Sequence, residues 1–165
     1  MKNFMKSARA AGQNVGGLSS MPSVLMDTNL LVYTFDPRNE MRQERAIAAL
    51  LRLEENGEGC LSVQCLSEFA SAAIKKLHLS ADDVMTRIEE WRSAFPVFNL
   101  TPQVVLEAAR GVRDHRLSYY DAQIWAAARL NQIPVVFSED FQDGWTLDGV
   151  RFINPFAEGF AIEEW

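Results

Sequence analysis

Four acidic residues are spaced so that a parallel α/β fold would bring them to one edge of its sheet, namely Asp27, Glu68, Asp121 and Asp140. Asp27 directly follows the apolar run 24–26, and Asp140 comes three residues after the apolar run 134–137. Both runs are typical of short buried strands, so both carboxylates fall where strands end, the edge at which open α/β sheets bind ligands. Clustered carboxylates stay ionised only when a cation or protons relieve their repulsion, and hard divalent cations prefer oxygen ligands. The pattern therefore predicts a metal-dependent enzyme that acts on phosphate esters.

Three of these carboxylates also have a purely structural explanation. Asp27 can cap the turn or helix that follows its strand, and Glu68 can be a solvated side chain on a helix. Asp121 stands three residues after Ser118, the spacing of a capping box. Asp121 nevertheless shares a helical face with apolar side chains, and a carboxylate on a buried face needs a partner charge. This face favours a functional role for Asp121.

The chain alternates short apolar runs with helical patterns, which implies crossover connections and a mostly parallel sheet. We therefore expect an α/β, three-layer αβα domain with four or five strands, spanning residues 21–156. Residues 1–20 are predicted to form a flexible extension, and residues 157–165 form a tail to which the pattern assigns no role. The predicted strands cover 23–26, 59–63, 95–100, 133–137 and, at the edge of the sheet, 150–153; the predicted helices cover 42–53, 64–77, 80–93, 119–130 and a segment that starts at Thr101 and Pro102.

Composition limits the class of protein. A chain of 165 residues with 48% hydrophobic and 23% charged residues fits one globular domain. A net charge of −6 argues against a general nucleic-acid coat protein, but it does not exclude a nuclease, because a bound cation reverses the charge of an acidic site. No apolar stretch approaches the roughly 18 residues of a membrane span, and no secretory signal stands out, so we expect a cytoplasmic protein. Cys60 and Cys65 lack a zinc-binding pattern and are predicted to be reduced, buried thiols.

Four segments of the chain, in this order, resemble those of the PIN-domain nucleases, and especially of the VapC-type toxins of bacterial toxin–antitoxin pairs. The segments are 24–29, 61–69, 117–126 and 134–141. The resemblance implies a Mg²⁺-dependent endoribonuclease, with Mn²⁺ as an alternative ion, in which metal-activated water attacks an RNA phosphodiester bond in line. It also implies that the catalytic and metal-binding residues are Asp27, Glu68, Asp121 and Asp140.

Polar residues beside these positions are candidates for accessory roles. The resemblance points to Thr28, Asn29, Ser118 and Ser138. In the acidic loop that follows the run 134–137, we expect Asp140 to belong to the site, Asp143 to be accessory and Glu139 to point away.

The resemblance further implies an RNA substrate, a cognate VapB-like antitoxin that wraps the toxin, and a homodimer. The segments 42–53 and 82–93 are the expected groove for the antitoxin. Tyr119 and Tyr120 either stack on unpaired bases or belong to the core. The densest basic positions are candidate RNA contacts, although a solvated helix face explains them equally well: Lys75, Lys76, Arg110, Arg113, His115 and Arg116.

Three other interpretations compete with the toxin. A phosphatase with a strand-end aspartate nucleophile normally has a second Asp two residues later, where this chain has Asn29. A PIN-domain nuclease of RNA processing, rather than a toxin, fits the same motifs. A non-enzymatic interaction domain that only binds Mg²⁺ would keep the acidic pocket and cleave no RNA.

Overall fold

A computed structural model describes residues 23–165, and the predicted extension 1–20 lies outside this range. The described part contains six strands, six α-helices and a final 3-10 turn at Ile162–Glu164. The strands are β1 Val24–Met26, β2 Gly59–Ser62, β3 Val97–Phe98, β4 Val135–Phe137, β5 Thr146–Leu147 and β6 Val150–Ile153. The helices are α1 Thr28–Tyr33, α2 Glu40–Asn56, α3 Val63–Lys76, α4 Ala81–Ala94, α5 Pro102–His115 and α6 Tyr119–Leu130.

The strands form one sheet in the order β3-β2-β1-β4-β6-β5. Every neighbouring pair is parallel except β5 and β6. This arrangement, with helices flanking the sheet, confirms the predicted α/β class and its mostly parallel sheet. The sheet has six strands rather than four or five, because the chain turns at Asp148 and Gly149, both with positive φ, and pairs β5 with β6. The prediction that 150–153 is the edge strand is therefore wrong, since β5 covers it.

At the centre of the sheet β1 and β4 are parallel neighbours, so the residues that follow these two strands lie side by side. All three residues of β1 are fully buried, as expected for a strand covered on both faces. Hydrogen bonding continues beyond the strand ends, where Asp27 N donates to the Phe137 carbonyl at 3.0 Å and Ser138 N donates to the Ile153 carbonyl at 3.0 Å. The residues that follow β1 and β4 are thus held in register.

Helix starts follow the capping residues in the sequence. Ser80, Thr101 and Ser118 each accept a hydrogen bond from the backbone N–H three residues on, and Pro102 opens α5. Helix α1 was not among the predicted helices, because six residues are too few to show a helical period. The predicted strand 95–100 shrinks to the two residues of β3.

Burial explains both the cysteines and the C-terminal segment. Cys60 and Cys65 are free and buried, as predicted, and burial raises the pKa of both thiols to about 12. In the segment 157–165, the rings of Phe160 and Trp165 contact the Phe137 ring edge-on. The Trp165 main-chain oxygen accepts from Arg52 at 2.6 Å. This segment therefore packs on α2 and β4. Between residues 23 and 165, no helix combines the length and the apolar character needed to cross a bilayer.

Candidate active site

Asp27 lies at the junction of β1 and α1, where the strand ends and its side chain caps the helix. The Asp27 carboxylate accepts from Thr28 N at 2.6 Å and from the Ser138 hydroxyl at 2.6 Å. The residue is only 6% exposed. The capping role anticipated for Asp27 is thus present, and it orients the carboxylate toward the end of β4.

Asn29 connects the ends of β1 and β4. Its Nδ2 lies 3.4 Å from Asp27 Oδ2, 3.5 Å from Ser138 Oγ and 3.3 Å from Asp140 Oδ2. The Asp140 backbone N–H donates to Ser138 Oγ at 3.1 Å, which ties the loop to the same network. Asn29 Oδ1 is buried and, within residues 23–165, has no hydrogen-bond partner. Asn29 therefore stands between two carboxylates and keeps one oxygen available.

Glu68 reaches the same network from α3. Its carboxylate accepts from the Thr28 hydroxyl at 3.3 Å and from Gln64 Nε2 at 2.8 Å. Gln64 Nε2 also donates to the Tyr120 carbonyl at 3.1 Å, which joins α3 to the start of α6. Glu68 is thus more than a solvated side chain. Gln64 was not among the predicted site residues, although its position one helical turn before Glu68 is a signal for such a pair.

Asp121 satisfies the capping box at the start of α6. The Ser118 hydroxyl donates to Asp121 Oδ2 at 2.7 Å, and Asp121 N donates back to Ser118 Oγ at 3.4 Å. The apolar face of α6 is buried as expected, but Asp121 itself is only partly buried because it lies in the first turn. The expected burial of this face thus holds for its apolar residues, and Asp121 lies at the end of the face that borders solvent.

The carboxylates of Asp27, Glu68, Asp121 and Asp140 are called the acidic quartet below, and two of them, Asp27 and Asp140, have raised pKa values. Burial, with smaller contributions from the charges of Asp140 and Glu68, raises the pKa of Asp27 to about 7, against the lowering effect of the Ser138 and Thr28 hydrogen bonds. Burial, followed by the charge of Asp121, raises the pKa of Asp140. The quartet is therefore a set of mutually repelling groups drawn from four separate chain segments.

The donor chemistry of the acidic quartet fits a hard divalent cation, which binds carboxylate and amide oxygens. The buried, unpartnered Asn29 Oδ1 adds a further oxygen of that kind. Within the part of the chain that the structure describes, no three His, Cys, Asp or Glu side chains converge closely enough to enclose an ion. Each carboxylate of the quartet has a polar neighbour within hydrogen-bond distance: Ser138 for Asp27, Asn29 for Asp140, Gln64 for Glu68 and Ser118 for Asp121.

The remaining predicted residues lie outside this network. Asp143 accepts from the Asn154 backbone N–H at 2.8 Å and caps that turn. Arg113 pairs with Asp114, and Arg110 pairs with Glu107. Lys75 and Lys76 are exposed in the last turn of α3, and Arg116 is exposed at the C-terminal cap of α5, two residues before Ser118.

A second polar cluster, which the sequence analysis did not identify, holds the loop that carries Asp140. Glu139 points away from the acidic quartet, as expected, and accepts from the Tyr33 hydroxyl at 2.5 Å and from Arg42. The Arg42 guanidinium also donates to the Tyr33 hydroxyl and lies 5.6 Å from the centre of the Phe156 ring. Arg42 therefore anchors the β4 loop to α1 and α2.

We expect Arg42→Gln to lower the free energy of unfolding by about 1–2 kcal/mol, because half-buried hydrogen bonds to a charged group are lost. Urea titration measures this change. The matched control Arg92→Gln, which breaks an exposed ion pair with Glu89, should cost less than about 0.5 kcal/mol. A double-mutant cycle with Glu139→Gln should give a coupling energy of about 0.5–2 kcal/mol. Additive effects would contradict the anchoring role.

The chain matches the model of one protein family and is similar to several solved structures. The family model of the PIN domain matches residues 24–142. No curated protein matches the chain significantly. The chain is similar to a toxin–antitoxin complex from Klebsiella pneumoniae, with 23% identity, a TM-score of 0.58 and coverage of 81% of this chain and 98% of that one.

Two further solved structures are similar to the chain. For the DNA-bound VapBC of Salmonella typhimurium, the identity is 22%, the TM-score 0.57 and the coverage 80% of this chain and 97% of that one. For VapC20 of Mycobacterium tuberculosis, described as a toxin that cleaves the sarcin-ricin loop, the identity is 17%, the TM-score 0.57 and the coverage 72% and 92%. At these identities the likeness concerns the fold.

Proposed function

Because this chain belongs to the PIN domain family, whose members are nucleases, we propose that it is a metal-dependent endoribonuclease that acts as the toxin of a toxin–antitoxin pair. The observation that carries the proposal is the joining of Asp27, Glu68 and Asp140, from three separate segments, by hydrogen bonds through Thr28, Asn29 and Ser138. Such a network would supply oxygen ligands to Mg²⁺ or Mn²⁺ at the strand ends, where α/β proteins bind ligands.

The side chains of the acidic quartet would hold the cation, and Asn29 Oδ1 is an additional oxygen beside them. A bound cation supplies positive charge that lets the carboxylates ionise and that stabilises charge building up on a phosphodiester. Ser138 and Thr28 act as positioning residues, because their hydroxyl protons point at Asp27 and Glu68 respectively. The proposal requires no side-chain nucleophile, because water would be the attacking group.

The substrate and partners are proposed from the similar structures. VapC20 is described as cleaving an RNA loop, which supports an RNA substrate for this chain. The Klebsiella and Salmonella structures are toxin–antitoxin complexes, which supports a VapB-like antitoxin as the partner. A homodimer is also proposed.

The test is incubation of purified, antitoxin-free protein with total cellular RNA and Mg²⁺, followed by mapping of 5′-phosphate ends. We expect discrete cuts that EDTA abolishes and that excess Mg²⁺ or Mn²⁺ restores. Cuts that persist in EDTA would contradict metal dependence. Mg²⁺ binding by calorimetry without any cuts would favour the interaction-domain alternative.

The toxin role has a separate test, because an RNA-processing nuclease would pass the first one. Induced expression of the wild-type chain should arrest bacterial growth, and Asp27→Asn should not, at equal protein levels. Normal growth with an active wild-type enzyme would favour the processing nuclease.

A further inference from the structure

Two neighbouring tyrosines stand in solvent directly before a member of the acidic quartet. Tyr119 and Tyr120 are the first two residues of α6, and Asp121 follows them. The tyrosines are 43% and 62% exposed, so they do not belong to the core. Leaving two adjacent large rings in water forgoes the stabilisation that their burial would provide, and grouped exposed apolar surface often marks a binding site.

Buried amide side chains fix this pair relative to the quartet. Gln123 Nε2 donates to the Tyr119 hydroxyl at 3.2 Å, and Gln64 Nε2 donates to the Tyr120 carbonyl at 3.1 Å. Gln64 and Gln123 are both buried, and Gln64 also donates to Glu68. The two rings contact each other edge to face, with centroids 5.8 Å apart. Gln123 therefore holds the Tyr119 hydroxyl, Gln64 holds the backbone of Tyr120, and the two rings contact each other one turn or less from Asp121.

The net charge of the chain is unfavourable for binding RNA phosphates, so surfaces other than basic patches are expected to contribute to RNA affinity. The chain carries a net charge of −6, and two of the candidate basic side chains, Arg110 and Arg113, pair with carboxylates of the protein. Few phosphate contacts give a weak electrostatic contribution to binding. Stacking of a base on an aromatic ring contributes about 1–3 kcal/mol whatever the base.

We propose that Tyr119 and Tyr120 form the base-stacking site of this nuclease, which takes two unpaired nucleotides beside the bond to be cut. This inference rests on the proposed function and adds the residues that select the RNA conformation. The planes of the two rings meet at 69°, whereas neighbouring bases in a duplex or a stacked single strand lie nearly parallel. A strand that stacks on both rings has to turn between successive bases. The site therefore selects an unpaired strand that bends, as in a loop, over a duplex.

The experiment measures binding apart from cleavage. RNA hairpins carrying 2-aminopurine at successive loop positions are titrated with the full chain in EDTA and in Ca²⁺, and stacking is detected as quenching of the fluorescence. A duplex of the same sequence is the competitor. We expect the wild-type chain to quench two neighbouring loop positions and to prefer the hairpin.

Substitutions locate the effect. Tyr119→Ala and Tyr120→Ala should each weaken hairpin binding roughly 5- to 150-fold, the range that corresponds to loss of one stacked base. Tyr120→Phe keeps the ring and should bind within about twofold of the wild type. The matched control Leu106→Ala removes a side chain of similar exposure, 64%, from α5 and should leave binding unchanged. Thermal unfolding confirms that each variant is folded.

The proposal would be overturned by hairpin binding of Tyr120→Ala as tight as that of the wild type, or by absence of quenching with the wild-type chain. Equal weakening by Tyr120→Phe would also overturn it, because the ring would then not be the relevant group. Failure of the chain to cut RNA would count against the proposed function but not against quenching that depends on the tyrosine rings.

Discussion

Replacement of Asp27 by Asn is expected to lower the rate of RNA cleavage about 1,000-fold. Asp27 is the deeply buried member of the acidic quartet, and its carboxylate meets both Ser138 and Asn29. Asn keeps the size of the side chain and an oxygen for capping α1, but it removes the negative charge. A bound cation contributes several kcal/mol to stabilisation of the transition state, and each 1.4 kcal/mol corresponds to about tenfold in rate.

Single-turnover cleavage rates at saturating enzyme measure this effect without interference from substrate binding. The matched control is Asp143→Asn, the same change a few residues beyond Asp140. Because the amide side chain of this control would still offer an oxygen to the Asn154 N–H, its rate should stay within about twofold of the wild type. A rate for Asp27→Asn above a tenth of the wild-type value would remove Asp27 from the proposed machinery. An equal loss in Asp143→Asn would mean that the site extends into the loop beyond Asp140.

The sequence predicted the parts of this site that depend on local rules. The apolar runs that became β1 and β4 end next to each other because parallel strands of one sheet finish at the same edge, which brings Asp27 and Asp140 close. The capping box at Ser118 is present, and Asp121 is also near enough to Asp140 to raise its pKa. The structural and the functional explanation of Asp121 therefore do not exclude each other.

The parts that the sequence did not predict depend on contacts between distant segments. Arg42 meets Glu139 across 97 residues, and Arg52 meets Trp165 across 113 residues. No periodicity or local motif encodes such pairs, since they depend on how α2 packs against distant parts of the folded chain. The bridging position of Asn29 was missed in the same way, because its partners on the β4 loop lie more than 100 residues away.

The site also has a cost for the fold that carries it. An ionised Asp27 is buried among other carboxylates, so the arrangement that suits a cation destabilises the protein when no cation is bound. Ser138 and Thr28 N–H offset only part of this penalty, since the pKa of Asp27 still rises to about 7. The negative charge of Asp27 is therefore expected to favour activity and to lower the stability of the metal-free protein.

We accordingly expect Asp27→Asn to stabilise the metal-free protein, and to do so more as the pH rises from about 4 to about 7. In the unfolded chain Asp27 ionises near pH 3.9, whereas in the folded chain it keeps its proton until about pH 7. Between these values the folded state binds more protons, so the contribution of Asp27 to stability falls with increasing pH. Each unit of difference between the folded and unfolded pKa corresponds to about 1.4 kcal/mol. The free energy of unfolding that is lost above pH 7 is therefore on the order of 4 kcal/mol at most.

Thermal unfolding of the wild type and of Asp27→Asn in EDTA, at about pH 4.5, 6 and 8, measures the difference in their stability. Subtracting the stability of one protein from that of the other cancels the groups that do not interact with Asp27, so the difference reports Asp27 together with its charge interaction with Asp140. At roughly 2–4 °C per kcal/mol for a chain of this size, the melting temperature of Asp27→Asn should exceed that of the wild type by at most about 8–16 °C at pH 8 and by much less at pH 4.5. Mg²⁺ should then raise the melting temperature of the wild type more than that of the variant, since a ligand stabilises the state that binds it. A difference in melting temperature that stays constant with pH would show that the pKa of Asp27 is not raised in the folded protein. An equal rise in the melting temperature of both proteins with Mg²⁺ would mean that Asp27 does not contribute to cation binding.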